Sequence, residues 1–316
     1  MRPPVSALMP VRDGEEWICR SLENVNRILQ DSDELIIIDD GSTDNTTKLI
    51  KNSQIIPSLS LIESPPVGLV AALNLGLEIA KNDWVVRFDV DDQYDSQRLD
   101  FLFHQIGHET VAVFSDYQFR KESNESLGQV FSPIMDHAIK LSLYKSQRTA
   151  HPSVMYRKAA VRMAGSYLAQ DFPCEDLSLW FRLAKLGDFE SRDKVLLSYT
   201  LTPKSISARN RHLIQKKHTK LANQFRNEEL VKKSFAQLAV TLKKYEAYSC
   251  PRERRLLHIL DFFDCNNFSL LSLLEKGKLF IYLFFELLNF KTSKSLVKLF
   301  YEKTSRRRYR KSAYND

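Results

Sequence analysis

The sequence predicts an α/β fold, with a mostly parallel central sheet followed by an α-helical C-terminal region. Three observations lead there. Short β-branched or apolar runs, among them residues 34–38 (ELIII) and 84–88 (WVVRF), alternate with stretches of helical period, the pattern of a sheet covered on both faces. Compact polar or acidic turns follow the early strand candidates, at residues 10–15, 39–44 and 89–92. Past Lys204 the texture becomes Lys/Arg-rich and helical.

Val5–Val11 (VSALMPV) is the first strand candidate, broken by Pro10. Residues 12–15 (RDGE) form a turn. Residues 16–29 then read as helix, with Trp17, Leu22, Val25 and Leu29 on the apolar face. The run 34–38 is a buried strand that delivers Asp39-Asp40-Gly41-Ser42-Thr43-Asp44. Gly41 permits the sharp bend, and Ser42 or Thr43 is placed to cap the next helix. Another short strand covers 59–63 and stops at Pro65 and Pro66. Residues 68–81 are apolar nearly all round, as in a buried helix. After the 84–88 strand come a helix over 96–105, a strand over 111–114 and a polar loop over 118–135. Lys158–Met163 is helical and ends at Gly165. Cys174, Glu175 and Asp176 open an amphipathic helix whose Leu177, Trp180, Phe181 and Ala184 share a face, with Gly187 as its stop. Residues 195–199 close the front part as a strand.

At 316 residues the chain has room for about two domains. Its net charge of +7 conceals an asymmetry: residues 204–316 carry +15 and residues 1–203 carry −8. Such a split points to two modules with different partners, the basic one suited to anionic lipid or nucleic acid. None of the four cysteines forms a Cys-x-x-Cys pair, so neither a zinc site nor a disulfide framework is indicated, and a reducing cytoplasm is expected. The N-terminus lacks the basic-then-apolar pattern of a signal peptide. The most apolar run, residues 279–290, is shorter than the roughly 20 residues of a spanning helix. Core packing is its default role; seating on a membrane surface beside Arg306, Arg307 and Arg308 is the alternative.

Chemistry concentrates at Asp89, Asp91 and Asp92, just past the 84–88 strand. Three crowded carboxylates repel unless a cation sits among them. Asp89 and Asp91, two apart, point the same way on extended backbone and suit a hard divalent cation such as Mg²⁺ or Mn²⁺. A solvated acidic turn is the plainer reading of such a short motif. In parallel sheets ligands sit beyond the carboxyl ends of the strands, so the turns 10–15, 39–44 and 89–92 are expected to converge on one edge.

Five segments together carry a resemblance: MPVRDGE (9–15), ELIIIDDGSTDNT (34–46), GLVAALNLGLEIAKNDWVVRFDVDDQ (68–93), HPSVMYRKA (151–159) and EDLSLWFRLAKLG (175–187). In this order and spacing the chain resembles the family 2 inverting glycosyltransferases of bacterial polysaccharide and lipopolysaccharide synthesis, over residues 5–207. The resemblance implies the GT-A nucleotide-sugar-binding fold for residues 1–207, with 208–316 as a basic helical appendage. It implies donor contacts from Pro10, Arg12, Glu15, Asp40, Asn74, Arg87 and Asp89, with Asp40 accepting from a base N–H such as that of uracil. Arg12 stands where the family often has an aromatic residue, and a guanidinium also stacks on a base. Asp89 and Asp91 match the family's Asp-x-Asp motif, which holds the diphosphate through Mn²⁺ or Mg²⁺. Asp176 matches the family's catalytic base; the plainer alternative is a cap on a helix starting at Leu177, with Glu175 a neighbour that could cap instead.

The function so implied is metal-dependent transfer of a hexosyl or N-acetylhexosaminyl group, with inversion. The donor is a nucleotide-diphosphate sugar, on this reading a UDP-sugar, and the acceptor a hydroxyl of a saccharide or lipid-linked glycan. Nucleic acid is not an expected partner. The enzyme is placed in the cytoplasm, with the basic tail able to reach the inner face of the membrane. Two other readings stand beside it. A nucleotidyltransferase of similar fold would carry a Gly-rich basic loop, for which residues 12–15 are too short and too acidic. A non-catalytic nucleotide-sugar or lipid-binding module would not need carboxylates at all three strand ends.

Overall fold

A computed structural model of the chain describes residues 2–53, 58–144 and 148–226. The apolar run 279–290 and the arginines at 306–308 lie outside them. The chain divides into two compact units. One comprises Met1–Ser132 and Thr149–Thr202; the other groups Pro133–Arg148 with the chain from Pro203 on.

The first unit is built on one sheet. In chain order it contains β1 (Val5–Val11), α1 (Ile18–Asn26), β2 (Glu34–Asp40), α2 (Thr46–Asn52), β3 (Leu59–Ser64), α3 (Leu69–Ile79), β4 (Trp84–Arg87), β5 (Gln93–Tyr94), α4 (Arg98–Phe103), β6 (Thr110–Lys121) and β7 (Ser126–Val130). The chain then gives α5 (Asp136–Ser142) to the second unit and returns with β8 (Met155–Arg157), α6 (Lys158–Met163), α7 (Glu175–Leu183) and β9 (Asp188–Leu201). Spatial order is β3-β2-β1-β4-β8-β6-β9-β5, with β7 paired to β6. From β3 to β4 every pairing is parallel, as the alternating strand–helix pattern requires. Beyond β4 the sheet is mixed: β8 runs antiparallel to both β4 and β6, while β9 is parallel to β6.

Local sequence accounts for the parallel half. Leu35, Ile36, Ile37 and Ile38 are all buried, because helices cover both faces of β2. Met9, Ile37 and Val86 from three adjacent strands join Leu22 and Val25 of α1 in one core cluster. Pro10 does not break β1. The β1–β4 register ends at Leu8 opposite Arg87, whereas β1–β2 continues to Val11, so Pro10 sits where one side of the strand has no partner.

Other expectations need correction. Residues 118–135 are not a plain loop, since β6 runs on to Lys121 and turns back into β7. The closing strand is β9 over Asp188–Leu201, longer than 195–199, because it pairs with β6 along most of its length. Gly187 is not the stop of α7, which ends at Leu183. A Cβ there would lie 2.4 Å from the Glu109 carbonyl oxygen, so glycine lets β9 start tight against the β6 entry.

The second unit contributes α5, α8 (Ile206–Arg209) and α9 (Arg211–Gln224). Ser205 caps α8 by accepting from the Ala208 N–H. The Tyr144 hydroxyl donates to the Phe225 carbonyl at 2.7 Å, tying the 133–148 segment to the end of α9. No helix among the described residues is long and apolar enough to cross a membrane.

Candidate active site

The three turns beyond the parallel strands meet as expected. The Asp13 N–H donates to Ser42 Oγ at 2.9 Å, and Asp13 Oδ1 accepts from the Thr43 N–H at 2.7 Å. The Glu15 N–H donates to Asp44, while the Glu15 carboxylate accepts from both the backbone and the side chain of Asn45. Arg20 Nη2 reaches the Asp91 carbonyl at 3.4 Å and brings in the third turn. Neither Ser42 nor Thr43 caps α2, which starts at Thr46; Asp44 accepts from the Thr46 N–H instead. Ser42 is held by Asp39 at the end of β2.

Carboxylate oxygens of Asp89, Asp91 and Asp92 all lie within 4.8 Å of one another. Backing groups shape this cluster. Asp92 is buried and accepts from the Thr200 N–H of β9 at 2.8 Å, and the Thr200 hydroxyl donates to the Asp91 carbonyl. The Asp89 N–H donates to the Tyr94 hydroxyl at 2.6 Å. Burial, then the charge of Asp89, pushes Asp91 up to about 7. Burial, then Asp91, raises Asp92 well above the usual carboxylate range. Desolvated like charges with an all-oxygen donor set fit a hard divalent cation.

Two buried arginines flank the cluster. Arg87, the last residue of β4, is 3% exposed and lies with Nη2 2.6 Å from Asp89 Oδ1. Its Nε and Nη1 have no hydrogen-bond partner among the described residues. Its charge lowers the pKa values of Asp91 and Asp92 and also that of Glu175 at the start of α7. Arg98 is fully buried, its guanidinium 4.7 Å from the Phe88 ring centroid and 4.4 Å from that of Tyr94. It donates to the Pro152 carbonyl at 2.7 Å, and burial lowers its pKa to about 10. Ring faces and carbonyls thus hold the cation where, among the described residues, no carboxylate ion-pairs with it.

Asp176 is the second residue of α7, not the cap of a helix starting at Leu177. Cys174 occupies the cap position, and Asp176 Oδ1 accepts from the Leu177 N–H at 2.7 Å. Glu175 does not cap either. It is 5% exposed with Oε2 unpartnered, and burial, then Asp176, pushes it up to about 7. Beside them His151 Nε2 lies 2.8 Å from the Tyr167 hydroxyl, which in turn reaches the Tyr156 hydroxyl at 3.3 Å. Burial, then Arg87, holds His151 well below the ordinary imidazole range, so it is neutral.

The profile of Glycosyl transferase family 2 matches residues 6–163, half of the chain. The chain belongs to glycosyl transferase family 2. Among its relatives, the amylovoran biosynthesis glycosyltransferase AmsE of Erwinia amylovora is 26% identical over 181 residues, covering 56% of this chain and 67% of that protein. The poly-beta-1,6-N-acetyl-D-glucosamine synthase of Staphylococcus aureus is 26% identical over 215 residues, covering 64% of this chain and about half, 51%, of the synthase. The S. aureus TarS 1-349 structure in complex with UDP-GlcNAc superposes with a TM-score of 0.55 at 15% identity, covering 84% of this chain and 83% of that one. The mannosyltransferase PcManGT of Pyrobaculum calidifontis, in complex with GDP-Man and Mn²⁺, gives 0.53 at 15% identity, covering 95% and 84%. These two likenesses establish the GT-A fold of the glycosyltransferase.

Within that fold the expected donor residues differ in what they already hold. Arg12 is exposed, with only a 3.8 Å ion pair to Asp13. Pro10 lies inside β1, and Glu15 grips the start of α2. Asp40 ends β2 with its carboxylate accepting from the N–H groups of Val67 and Gly68 at 2.7 and 2.9 Å. Asn74 makes both amide bonds to the backbone of Tyr167, at 2.9 and 3.0 Å, and so pins that turn to α3. Sequence reasoning missed Arg98, Thr200 and the burial of Glu175. An arginine opening a short, largely apolar helix, a threonine in a late strand and a glutamate beside an aspartate give no local signal of the partners they meet.

Proposed function

We propose that this glycosyltransferase is metal-dependent and inverting. It would move a sugar from a nucleotide-diphosphate donor, a UDP-sugar in this reading, to a hydroxyl of a saccharide or lipid-linked acceptor in cell-surface glycan synthesis. The observation that carries the reading is the Asp89–Asp91–Asp92 cluster within 4.8 Å at the end of β4, with one buried cation, Arg87, acting on both it and the start of α7. Asp89 and Asp91 would hold Mn²⁺ or Mg²⁺, with Asp92 fixing the loop to β9. The chemistry such a cation would supply when bound is positive charge for the diphosphate leaving group. Arg87 adds a second positive charge beside the same oxygens, and its unpartnered Nε–H and Nη1–H are donors available to the donor substrate. Asp40, Glu15 and Arg12 line the nucleoside side. Asp176 would take the acceptor hydroxyl's proton as the oxygen attacks the anomeric carbon, and one displacement inverts the configuration.

The complexes with UDP-GlcNAc and with GDP-Man and Mn²⁺ of the fold neighbours, and the synthase among the relatives, support a nucleotide-sugar donor. The domain reading places the catalytic module in residues 1–207. The basic tail would serve an anionic membrane surface. The test is a screen of UDP- and GDP-sugars with purified protein, reading nucleoside diphosphate release. Release should require Mn²⁺ or Mg²⁺ and vanish in Asp91→Asn. Full release in EDTA, with a fully active mutant, would sink the metal assignment.

A further inference from the structure

Glu175 is a buried carboxyl for which the mechanism above has no use. Among the described residues no arginine or lysine forms an ion pair with it, and its Oε2 has no hydrogen-bond partner. The charges around it are accounted for. Arg87 on β4 is paired with Asp89. Asp171, on the turn packed against α7, is bonded by the Ser178 hydroxyl. Arg182 of α7 donates to the carbonyls of Ala164 and Ser166, and on α6 Lys158 and Arg162 donate to the carbonyls of Ala80 and Leu77. Tyr167, which also faces Glu175, shares its hydroxyl with His151 and Tyr156. That leaves Asp176, the next residue, as the group that most strongly opposes charge on Glu175. An ionised carboxylate buried without a partner beside a second carboxylate is too costly to persist, and the less costly state is a neutral acid.

We propose that Glu175 is the positioning partner of the base: its buried carboxyl stays a neutral acid, so that the front of the helix carries one negative charge, on Asp176. This rests on the reading of Asp176 as base. When Asp176 takes the hydroxyl proton, the O–H bond breaks as the new C–O bond forms at the anomeric carbon, the old anomeric C–O bond breaks and the nucleoside diphosphate leaves with its electron pair; both carboxyls are then neutral, and Asp176 returns one proton to solvent. The arrangement keeps the front of α7 from presenting two charges to a dianionic donor. The proton steps belong to the pair, with Glu175 losing its proton near pH 7.

The experiment is infrared titration of the full chain labelled with ¹³C-glutamate, which separates glutamate bands from the buried aspartates of the metal cluster. Wild type should show a protonated glutamate carboxyl band at pH 6 that disappears through about pH 7. Glu175→Gln should lack it. Asp176→Asn, which removes the opposing charge, should move the disappearance to lower pH. No such band in wild type at pH 6 overturns the proposal, whether or not the variants fold. A midpoint unchanged by Asp176→Asn overturns the part given to Asp176. Release of UDP from UDP-GlcNAc by Asp176→Asn at the wild-type rate would instead remove the base assignment while leaving the infrared result standing.

Discussion

Asp176 combines a solvent-reachable carboxylate with a helix start that does not depend on it. Its Oδ1 accepts from the Leu177 N–H, a bond that an amide oxygen can also accept, and the cap position belongs to Cys174. Asp176→Asn should therefore melt close to wild type, losing at most about 0.3–1 kcal/mol of helix-dipole attraction. Turnover should fall by about 10²–10⁴-fold, the usual worth of a positioned base. Initial rates with donor affinity and melting temperature check this; a variant that transfers at the wild-type rate removes the role. Asp40 is a different case, because its carboxylate already holds the Val67 and Gly68 N–H groups. Asp40→Ala should raise KM for the donor more than it lowers kcat, since a nucleoside contact is uniform binding. It should also lower the melting temperature, as two backbone donors lose their acceptor. An unchanged KM with a lowered melting temperature would leave Asp40 a structural residue only.

At the scale of elements, two strands show how neighbours override local preference. Pro10 is tolerated inside β1 because β4 has already stopped at Arg87, so no ladder on that side needs the missing N–H. β9 begins at Asp188 immediately after Gly187, where the chain passes against the Glu109 carbonyl and the Val111 side chain. Gly187→Val would place a branched side chain in contact with both. A destabilisation of about 1–3 kcal/mol is expected, with the β6–β9 pairing disturbed before the parallel half. Thermal melting and amide exchange along β6 and β9 check it; unchanged melting would mean that the β6 entry yields freely.

For the whole molecule, a cation held at the acidic edge would make protons and stability interdependent. Asp91 sits near 7 in the folded state, above its ordinary value of 3.8. For a group raised in this direction, its stabilising contribution is complete below the unfolded value and is lost as pH rises through the folded one. Without metal, the cluster therefore weakens the fold progressively from about pH 4 to pH 7. A divalent cation needs the deprotonated ligands, so Mn²⁺ affinity should rise across the same window and level off above it. The increase in melting temperature on adding Mn²⁺ should accordingly be larger near pH 8 than near pH 6. Equal shifts at both values would place the cation elsewhere.

Short-range pattern was enough for β1 to β4, for the three turns at their ends and for the crowding of Asp89, Asp91 and Asp92, because strand alternation, turn chemistry and charge crowding are properties of neighbouring residues. The family motifs lie in those same stretches, and the matched profile begins at residue 6. Past β4, only the folded chain decided the outcome. The reach of β6 and β9 depends on their mutual pairing, and Arg98 is buried because Phe88, Tyr94 and the carbonyl of Pro152 surround it. The amide of Asn74 is engaged by Tyr167, far along the chain. Glu175 and Asp176 look equivalent in sequence, and only the folded chain buries Glu175 and pushes its carboxyl up to about 7. Such distinctions arise from desolvation and from contacts between distant segments, which no local period records.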